Sequence, residues 1–336
     1  MSNDSTSGSN SRRNFVKVAA TSAVALAGTT PAFSQESRMS NAPSAVLPPV
    51  TRPRPPFKAQ HQAWPGLSRD MSPPPDLGES TYRGSGRLAG MRALITGGDS
   101  GLGAAAAIAF AREGADVAIN YLPVEEPDAR EILRLIRAEG RRAVGLPGDL
   151  RDEAFCQKLV RDAARELGGI DILVSNAGRQ QVRATIADLS TQDLDDTLKT
   201  NVYALFWLSK AVIPLMQPGS AIVVTSSRLA GDPQGNLIDY GMSKAAGINF
   251  VKSLAKQLAP RGIRVNAVTP AQVWTPLHVT GGSTPENQVA LGGALPLGRP
   301  GQPAEIAPLF VAAADPALGF STGQIFAATG GVGQPG

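Results

Sequence analysis

Thr96-Gly97-Gly98-Asp99-Ser100-Gly101-Leu102-Gly103 is the stretch that decides the fold. It follows a short apolar run that begins at Met91, and it opens an Ala-rich segment that ends at Ala111. A strand, a glycine turn and a helix in this order can seat a pyrophosphate. Glycines let the backbone approach a ligand closely, and the N–H groups of the new helix point at the anion. Taken alone, the turn fits a purely structural loop equally well.

Strand-like and helix-like segments alternate along the rest of the chain. The pattern predicts strands at residues 91–96, 116–120, 143–146, 170–175, 221–225, 264–268 and 324–328. It predicts helices at 102–113, 127–139, 152–167, 194–216, 240–258 and 304–314. Continuous apolar strands separated by helices indicate a parallel sheet that is covered on both faces. The sequence therefore predicts an α/β protein with a single doubly wound parallel sheet, the Rossmann fold.

Polar and glycine-bearing segments follow the predicted strands. In a doubly wound sheet, ligands bind at the carboxyl ends of the strands, where the strand order reverses. Besides the glycine turn, the segments at these ends are Gly148-Asp149-Leu150, Asn176-Ala177-Gly178, Ser226-Ser227 and residues 270–275. We expect the functional residues to lie there.

Composition and charge argue against several classes of protein. The chain has 336 residues, of which 42% are hydrophobic, and a formal net charge of +4. Basic residues form no run of five and few aromatics lie between them, so the sequence gives little support to nucleic-acid binding. Cys156 is the only cysteine, which excludes an internal disulfide and reads as a small buried residue. His61 and His278 are the only histidines and lie far apart, so no metal site is predicted.

The N-terminus carries the pattern of an export signal. Residues 11–17, Ser-Arg-Arg-Asn-Phe-Val-Lys, resemble a twin-arginine signal, and a weakly apolar run follows them. That run is far shorter than the roughly 20 residues of a membrane span, so stable membrane insertion is not expected. We expect a signal peptide over residues 1–34, the twin-arginine export machinery as a partner, and a periplasmic protein. The alternative is a disordered basic tail on a cytoplasmic protein.

A Pro-rich arm is predicted over residues 35–87, ahead of a catalytic domain over 88–336. It would resemble a linker, but Ala63-Trp64-Pro65-Gly66-Leu67 places a large aromatic side chain inside it. An exposed Trp is unfavourable in a free tether. We therefore expect the arm to lie along the folded domain or a partner subunit, with a flexible spacer as the alternative.

Tyr240 and Lys244 lie four residues apart, which places them on one face of a predicted helix. A lysine ammonium near a phenol stabilises the phenolate and lowers the tyrosine pKa from about 10 toward neutral pH. Tyr240 is therefore a candidate general acid/base. In isolation the pair is a weak signal, because two surface residues at this spacing are common.

Taken together, these motifs resemble the short-chain dehydrogenase/reductase family. The resemblance rests on the glycine turn, Asn176-Ala177-Gly178, Asn201, Ser227 and the pair Tyr240-x-x-x-Lys244, in this order within residues 88–336. Ser227 precedes Tyr240 by the family's usual interval, which favours it over Ser226. A narrower resemblance, to bacterial glucose-dehydrogenase-like and general-stress oxidoreductases with a Pro-rich arm, rests on residues 62–67, 84–88 and 120–123.

The resemblance implies a role for each catalytic residue. Tyr240 would exchange a proton with the substrate oxygen, and Ser227 would hold that oxygen. Lys244 would lower the tyrosine pKa and bind the nicotinamide ribose. Asn201 would hold a water that connects Lys244 to solvent, and a buried Asn at a helix bend is compatible with that role.

The resemblance also implies a nicotinamide dinucleotide. Its expected contacts are Gly97, Asp99, Ser100, Gly101, Leu102, Gly103, Asn120, Tyr121, Asp149, Leu150, Asn176, Ala177, Gly178, Tyr240, Lys244, Pro270, Val273 and Thr275. The second strand ends at Asn120 and lacks the carboxylate that would bind a 2′-hydroxyl and repel a 2′-phosphate. NADP(H) is therefore favoured. NAD(H) stays open because no arginine is placed to bind the phosphate. Separately, Ala271 stands where the family usually has Gly after the proline, which weakens the expectation of backbone contacts to the cofactor there.

The expected function is reversible hydride transfer between NAD(P) and an alcohol, aldehyde, ketone or sugar. Residues 275–297, rich in Gly and Thr, would form a lid over a small neutral substrate. The alternative is a dinucleotide-binding sensor or scaffold without turnover, which would need only the glycine turn. The family also implies a homo-oligomer, a tetramer, with the helices at 194–216 and 240–258 as its interface.

Overall fold

The computed structural model describes residues 51–333. The predicted signal peptide and the first part of the arm therefore lie outside the described residues. Seven strands were located: β1 Arg92–Thr96, β2 Asp116–Tyr121, β3 Ala143–Pro147, β4 Ile172–Ser175, β5 Ala221–Thr225, β6 Arg264–Pro270 and β7 Ile325–Ala328. All pair in parallel, in the order β3-β2-β1-β4-β5-β6-β7. The predicted single doubly wound sheet is confirmed.

Within the described residues, eight α-helices connect or follow the strands. They are α1 Gly101–Arg112, α2 Glu126–Ala138, α3 Glu153–Leu167, α4 Thr191–Leu198, α5 Ala204–Val212, α6 Ile238–Leu258, α7 Pro285–Val289 and α8 Pro303–Ala314. One apolar core lies between the sheet and α1, α2 and α8, and a second lies between the sheet and α3, α5 and α6. The strand order reverses between β1 and β4, so the crevice expected for a ligand opens beside the glycine turn.

The helix predicted over residues 194–216 is interrupted. A π-helical turn, Lys199–Tyr203, separates α4 from α5, and a 3₁₀ turn at Ile213–Leu215 follows α5. A π turn holds one extra residue within a helix, and such turns are frequent at functional sites. Here it carries Asn201, whose side chain is buried.

Residues 51–87 of the arm pack along the domain. Tyr82 and the backbone of Ser85 and Arg87 donate hydrogen bonds to the Glu113 carboxylate at the end of α1 (2.7, 2.8 and 3.0 Å). Further upstream, the ring of Phe57 stacks on Trp274, with 4.4 Å between the ring centroids. Both ends of this segment are therefore attached to the catalytic domain.

Residues 51–333 give no support to a membrane-spanning helix, a metal site or a nucleophilic cysteine. No helix there is long and apolar enough to cross a membrane. The same residues hold no cluster of His, Cys, Asp and Glu side chains that could bind a metal ion. Cys156 is buried with its Sγ 3.3 Å from the carbonyl oxygen of Leu150, and burial raises the pKa of its thiol to about 12. A thiol with so high a pKa is not a nucleophile at neutral pH.

Candidate active site

A cavity of about 570 Å³ opens at the carboxyl ends of the strands. Every site residue predicted from the sequence lines it, except Gly103 and Asn201. The cavity extends from the β2 end, where Asn120 and Glu125 lie, to Ser227 and Tyr240. The segments expected to converge on one cleft do so.

The glycine turn has the shape of a pyrophosphate seat. Gly97 and Gly101 adopt positive φ angles of 61° and 50°, which L-residues with side chains rarely adopt. Gly103 does not face the cavity, and a Cβ on it would overlap the carbonyl oxygen of Gly97. Gly103 therefore lets helix α1 start directly against the turn, and a Cβ on Gly97 or Gly101 would crowd Ala177 or Thr275, which also line the cavity. These residues fit a dinucleotide.

Three strand ends are joined by what we call the strand-end bridge: Thr96, Asn176 and Thr225. The Asn176 amide donates to the carbonyl oxygens of Thr96 and Gly97 (3.1 and 3.2 Å) and accepts from the Thr225 hydroxyl (3.0 Å). The Thr96 hydroxyl accepts from the backbone N–H of Asn176 (2.9 Å). The side chain of Asn176 thus holds the turn in place at the edge of the cavity.

Asn201 is held by protein groups on both sides. Its Oδ1 accepts from the Arg179 N–H at 2.8 Å, and its Nδ2 donates to the Arg179 carbonyl and the Ser243 hydroxyl at 3.0 and 2.9 Å. These bonds use both amide hydrogens, so only a lone pair of Oδ1 is left for a water. A Cβ on Gly178 would lie 3.7 Å from that Oδ1 and 3.6 Å from Lys244 Nζ. Asn201 and Lys244 therefore border the same space.

The N-terminal half of α6 brings Tyr240 and Lys244 to the cavity. The Tyr240 hydroxyl lies close enough to Ser227 for the serine hydroxyl to lower its pKa, and Lys244 Nζ lies 5.5 Å from the Tyr240 ring centroid. Lys244 Nζ donates to the carbonyl oxygen of Thr225 at 2.8 Å. The Ser226 hydroxyl instead donates to the backbone carbonyl of Lys244 at 3.0 Å. Ser227 is thus the serine that meets the phenol, and Ser226 supports the helix.

Burial dominates the electrostatics of this pair. It raises the pKa of Tyr240 to about 12, although the nearby Ser227 hydroxyl lowers the pKa in part. It lowers the pKa of Lys244 to about 8, because no carboxylate compensates for the lost hydration. The expectation that Lys244 brings the tyrosine pKa toward neutral pH is not met in this geometry. Tyr240 keeps its proton at neutral pH and is poised to donate it.

The β2 end of the cavity carries carboxyl groups that sequence reasoning did not foresee as a set. Asn120 donates its amide to the carbonyl oxygens of Leu146 and Gly148 (3.0 and 3.1 Å), so it is occupied by protein. Asp99 is 1% exposed, and its Oδ2 has no hydrogen-bond partner. Burial, then the nearby charge of Glu125, raises the pKa of Asp99 well above its usual range.

Glu125 is the functional candidate that the sequence analysis missed. It ends a 3₁₀ turn, Pro123–Glu125, where its Oε2 accepts from the Leu122 N–H at 2.7 Å. Burial raises the pKa of Glu125 to about 7, and the neighbouring Asp128 contributes. The sequence did show a carboxylate in the first turn after β2. It was missed because the search for ligand-binding residues considered only the end of the strand itself.

The segment after β6, residues 271–297, forms the wall of the cavity opposite the glycine turn; we call it the wall after β6. Gln180 Nε2 donates to the Gly282 carbonyl at 2.6 Å, and the Val182 N–H donates to the Gly281 carbonyl at 2.8 Å. His278 lies within this wall, and burial lowers its pKa to about 4, so the ring is neutral at physiological pH. The expected lid is therefore bonded across the cavity to the segment that follows β4.

Comparison with known proteins agrees with this geometry. Residues 97–333 match the sequence model of a family described as enoyl-(acyl carrier protein) reductase. Two Bacillus subtilis proteins are similar: the uncharacterized oxidoreductase YhxD is 50% identical (82% of this chain, 93% of YhxD), and general stress protein 39 is 43% identical (80% and 93%). The Arabidopsis thaliana NADPH-dependent aldehyde reductase 1 is 36% identical (82% and 97%).

A solved structure of an oxidoreductase is also similar to this chain. A short-chain dehydrogenase from Burkholderia cenocepacia in complex with NADP is 35% identical, with a TM-score of 0.68 over 73% of this chain and 98% of that protein. The resemblance to general-stress oxidoreductases is confirmed at the level of these relatives. With its glycine turn, its parallel sheet and the convergence of Ser227, Tyr240 and Lys244, the chain belongs to the short-chain dehydrogenase/reductase family of oxidoreductases.

Proposed function

We propose that the protein reduces small uncharged aldehydes or ketones with NADP(H), in a reaction that is reversible. The observation that carries this proposal is the buried phenol of Tyr240, which lies beside Ser227 in the lining of the cavity. A phenol that keeps its proton at neutral pH is matched to a substrate oxygen that gains negative charge. When bound, the nicotinamide would supply the hydride.

The protein's own groups would handle the proton. Ser227 would hold the substrate oxygen, and Tyr240 would transfer its phenolic proton to that oxygen. Lys244, 5.5 Å from the Tyr240 ring centroid, would then stabilise the phenolate by its charge. The space that Lys244 and Asn201 border beside Gly178 would hold a water that returns a proton to the phenol.

The substrate end of the cavity supports an uncharged substrate. Leu229, Leu237 and Tyr240 form one buried apolar cluster, with Val182 packed against it. All four residues line the cavity, and they present no charge to a substrate. An apolar wall beside a hydrogen-bonding serine and tyrosine suits a small aldehyde or ketone.

The choice of NADP(H) rests on the β2 end and on relatives. Asn120 offers no carboxylate there, and two proteins similar to this chain are described as NADP-bound or NADPH-dependent. Asp99 and Glu125 fit a 2′-phosphate only when protonated, because ionised carboxylates repel it. Burial raises the pKa of both carboxyl groups, to about 7 for Glu125, which favours the protonated state of Glu125 below pH 7. NAD(H) binding does not require these carboxyl groups to be protonated.

The competing function is a dinucleotide-binding sensor without turnover. Tyr240→Phe separates the two, since it removes the phenolic proton and leaves the ring in place. We expect this variant to bind NADPH like the wild type and to lose at least about 100-fold in carbonyl reduction. Activity that survives the change would refute the role of Tyr240. Wild-type protein that binds NADPH but reduces none of a panel of aldehydes and ketones would favour the sensor.

We further propose a homo-oligomer. Large apolar side chains at and after the π turn are exposed, with Tyr203 at 43% and Phe206 at 50%, and Met242 on α6 is exposed at 48%. Apolar surface of this kind beside a groove formed by α5 and α6 favours a second copy of the chain as its cover. Light scattering of the purified protein gives the stoichiometry, and a monomer at micromolar concentration would refute the proposal.

We also propose a periplasmic location, because residues 11–17 resemble a twin-arginine export signal. Export by this route would carry the folded protein, together with any cofactor already bound. Replacing both Arg12 and Arg13 by Lys should keep the protein in the cytoplasmic fraction. If the wild type is itself found only in the cytoplasm, the proposed location is wrong.

A further inference from the structure

A loop of the arm, residues 57–73, closes on itself; we call it the arm loop. Gln60 bonds across it to the backbone of Ser72, accepting from the N–H at 3.0 Å and donating to the carbonyl at 2.6 Å. Nearer the tip, Gln62 accepts from the Leu67 N–H at 2.7 Å and donates to the Leu67 carbonyl at 3.1 Å. These paired bonds give the tip, Ala63–Gly66, a defined shape.

The base of the arm loop is fixed to the wall formed after β6. Phe57 stacks on Trp274, and the Trp274 indole N–H donates to the Pro73 carbonyl at 2.8 Å. Trp274 is fully buried between the two ends of the loop. The Phe57 N–H also donates to the Val289 carbonyl at 2.9 Å. One buried indole therefore holds both ends of the arm loop.

Residues 62–68 of the arm loop contact the protein on both sides of the cavity. On the substrate side, the Gln62 N–H donates to the Val279 carbonyl at 3.0 Å, and a Cβ on Gly66 would overlap the Thr280 methyl group. On the β2 side, the Ser68 N–H donates to the Asp128 carboxylate on α2 at 2.5 Å. The short run from Gln62 to Ser68 therefore spans the mouth of the cavity.

Trp64, Pro65 and Gly66 line the cavity in which the glycine turn and Tyr240 also lie. The Trp64 ring has the guanidinium of Arg179 6.0 Å from its centroid. That guanidinium bonds to Asp193 at 3.0 Å, so the cation beneath the indole is itself held. The indole is 37% exposed, a partial burial that leaves it at the rim of the cavity.

We propose that the arm loop is the outer wall of the dinucleotide site and retains the bound cofactor by covering the groove between the glycine turn and the wall after β6. This inference rests on the proposed function. A cofactor seated on the glycine turn would have to pass Trp64–Gly66 to leave. Contacts that the wall makes with the bound cofactor stabilise the complex, so their loss should appear mainly as a faster dissociation rate.

The dissociation rate of NADPH from the full-length protein tests the proposal. Stopped-flow displacement with excess NADP⁺, followed by NADPH fluorescence, gives the rate directly. We expect Trp64→Ala to release NADPH about tenfold faster than the wild type, the size of effect typical of a truncated aromatic anchor. The matched control is Phe320→Ala, which removes a fully exposed aromatic side chain that lines no part of the cavity. It should leave the rate unchanged.

A second variant tests the contact of the tip with the wall. Gly66→Ala should also accelerate release, because its methyl group would overlap the Thr280 methyl group and press on Gln62 Oε1 inside the loop. Adding Thr280→Ser removes the opposing methyl group but keeps the hydroxyl that bonds to Pro276, and should restore part of the wild-type rate. Circular dichroism verifies that each variant is folded.

The outcomes separate the two claims. If the wild type binds NADPH and the Trp64→Ala and Gly66→Ala variants release it within twofold of the wild-type rate, the arm loop is not the outer wall. If the wild type binds neither NADPH nor NADH, the proposed function fails and this inference fails with it. Faster release in both variants, with partial rescue by Thr280→Ser and no change in the Phe320 control, supports the proposal.

Discussion

Glu125→Gln is the sharpest perturbation of the β2 end of the cavity. The substitution removes a charge and keeps the shape, and a glutamine oxygen can still accept the bond from Leu122. Burial raises the pKa of Glu125 from 4.5 to about 7. A carboxyl group with a raised pKa stabilises the fold fully below its unfolded pKa and loses that contribution as pH rises through its folded pKa.

The size of the effect follows from that difference in pKa. Raising a pKa from 4.5 to about 7 corresponds to about 3 kcal/mol of stability lost between those two pH values. Glu125 is only partly buried, and its titration is coupled to that of Asp99 and Asp128. We therefore expect a loss of stability of about 1–2 kcal/mol. The glutamine variant should therefore match the wild type near pH 4.5 and exceed its free energy of unfolding by that amount at pH 8.

Cofactor binding should follow the same pH window. We treat an ionised Glu125 and the 2′-phosphate of NADPH as two unit charges about 6 Å apart. They would repel by about 3 kcal/mol at an effective dielectric constant of about 20, and solvent screening reduces this repulsion to about half. At pH 8 the variant should therefore bind NADPH about tenfold more tightly than the wild type, with no change for NADH.

Urea unfolding at several pH values and fluorescence titration with both dinucleotides measure these effects. Glu153→Gln, an exposed glutamate at the start of α3, is the control and should change neither quantity. A stability difference that is the same at pH 4.5 and pH 8 would refute the burial argument. An unchanged ratio of NADPH to NADH affinity would show that Glu125 does not face the 2′-position.

Two further predictions concern the turn and the catalytic lysine. Gly103→Ala should cost about 3 kcal/mol or more of stability because its methyl group overlaps the Gly97 carbonyl, whereas Gly235→Ala, with open space around it, should be neutral in thermal unfolding. Carbonyl reduction should be independent of pH up to about 8 and fall above it, as Lys244 loses its charge. A pH profile that rises between pH 8 and 9 would contradict the proposed role of that charge.

The sheet could be predicted from the sequence because parallel strands buried on both faces are locally apolar. All seven strands begin within two residues of their predicted positions, and β5 matches at both ends. The residues after the strands could be predicted for the same reason, since topology alone brings strand ends together. The interruption of the helix at 194–216 could not, because the π turn at Asn201 depends on bonds to Arg179 and Ser243, which are distant in sequence.

The electrostatics of the site were the hardest part to predict. Spacing shows that Lys244 lies beside Tyr240, but the pKa of the phenol depends on how completely both groups are buried, which a sequence does not state. Glu125 was missed for a related reason. Its importance comes from its burial beside Asp99, and nothing in Leu122-Pro123-Val124-Glu125 distinguishes it from a glutamate on a surface turn.

The strand-end bridge has a consequence for attempts to redesign this enzyme. Because Asn176 bonds to Thr96 and Thr225 at once, the loops after β1, β4 and β5 share one fixed reference point. Grafting a single loop from a relative would leave two of the three hydrogen-bonding partners behind. The strand-end bridge does not hold the wall after β6. Substitutions in that wall are therefore a better way to alter the substrate range than substitutions in the loops after β1, β4 and β5.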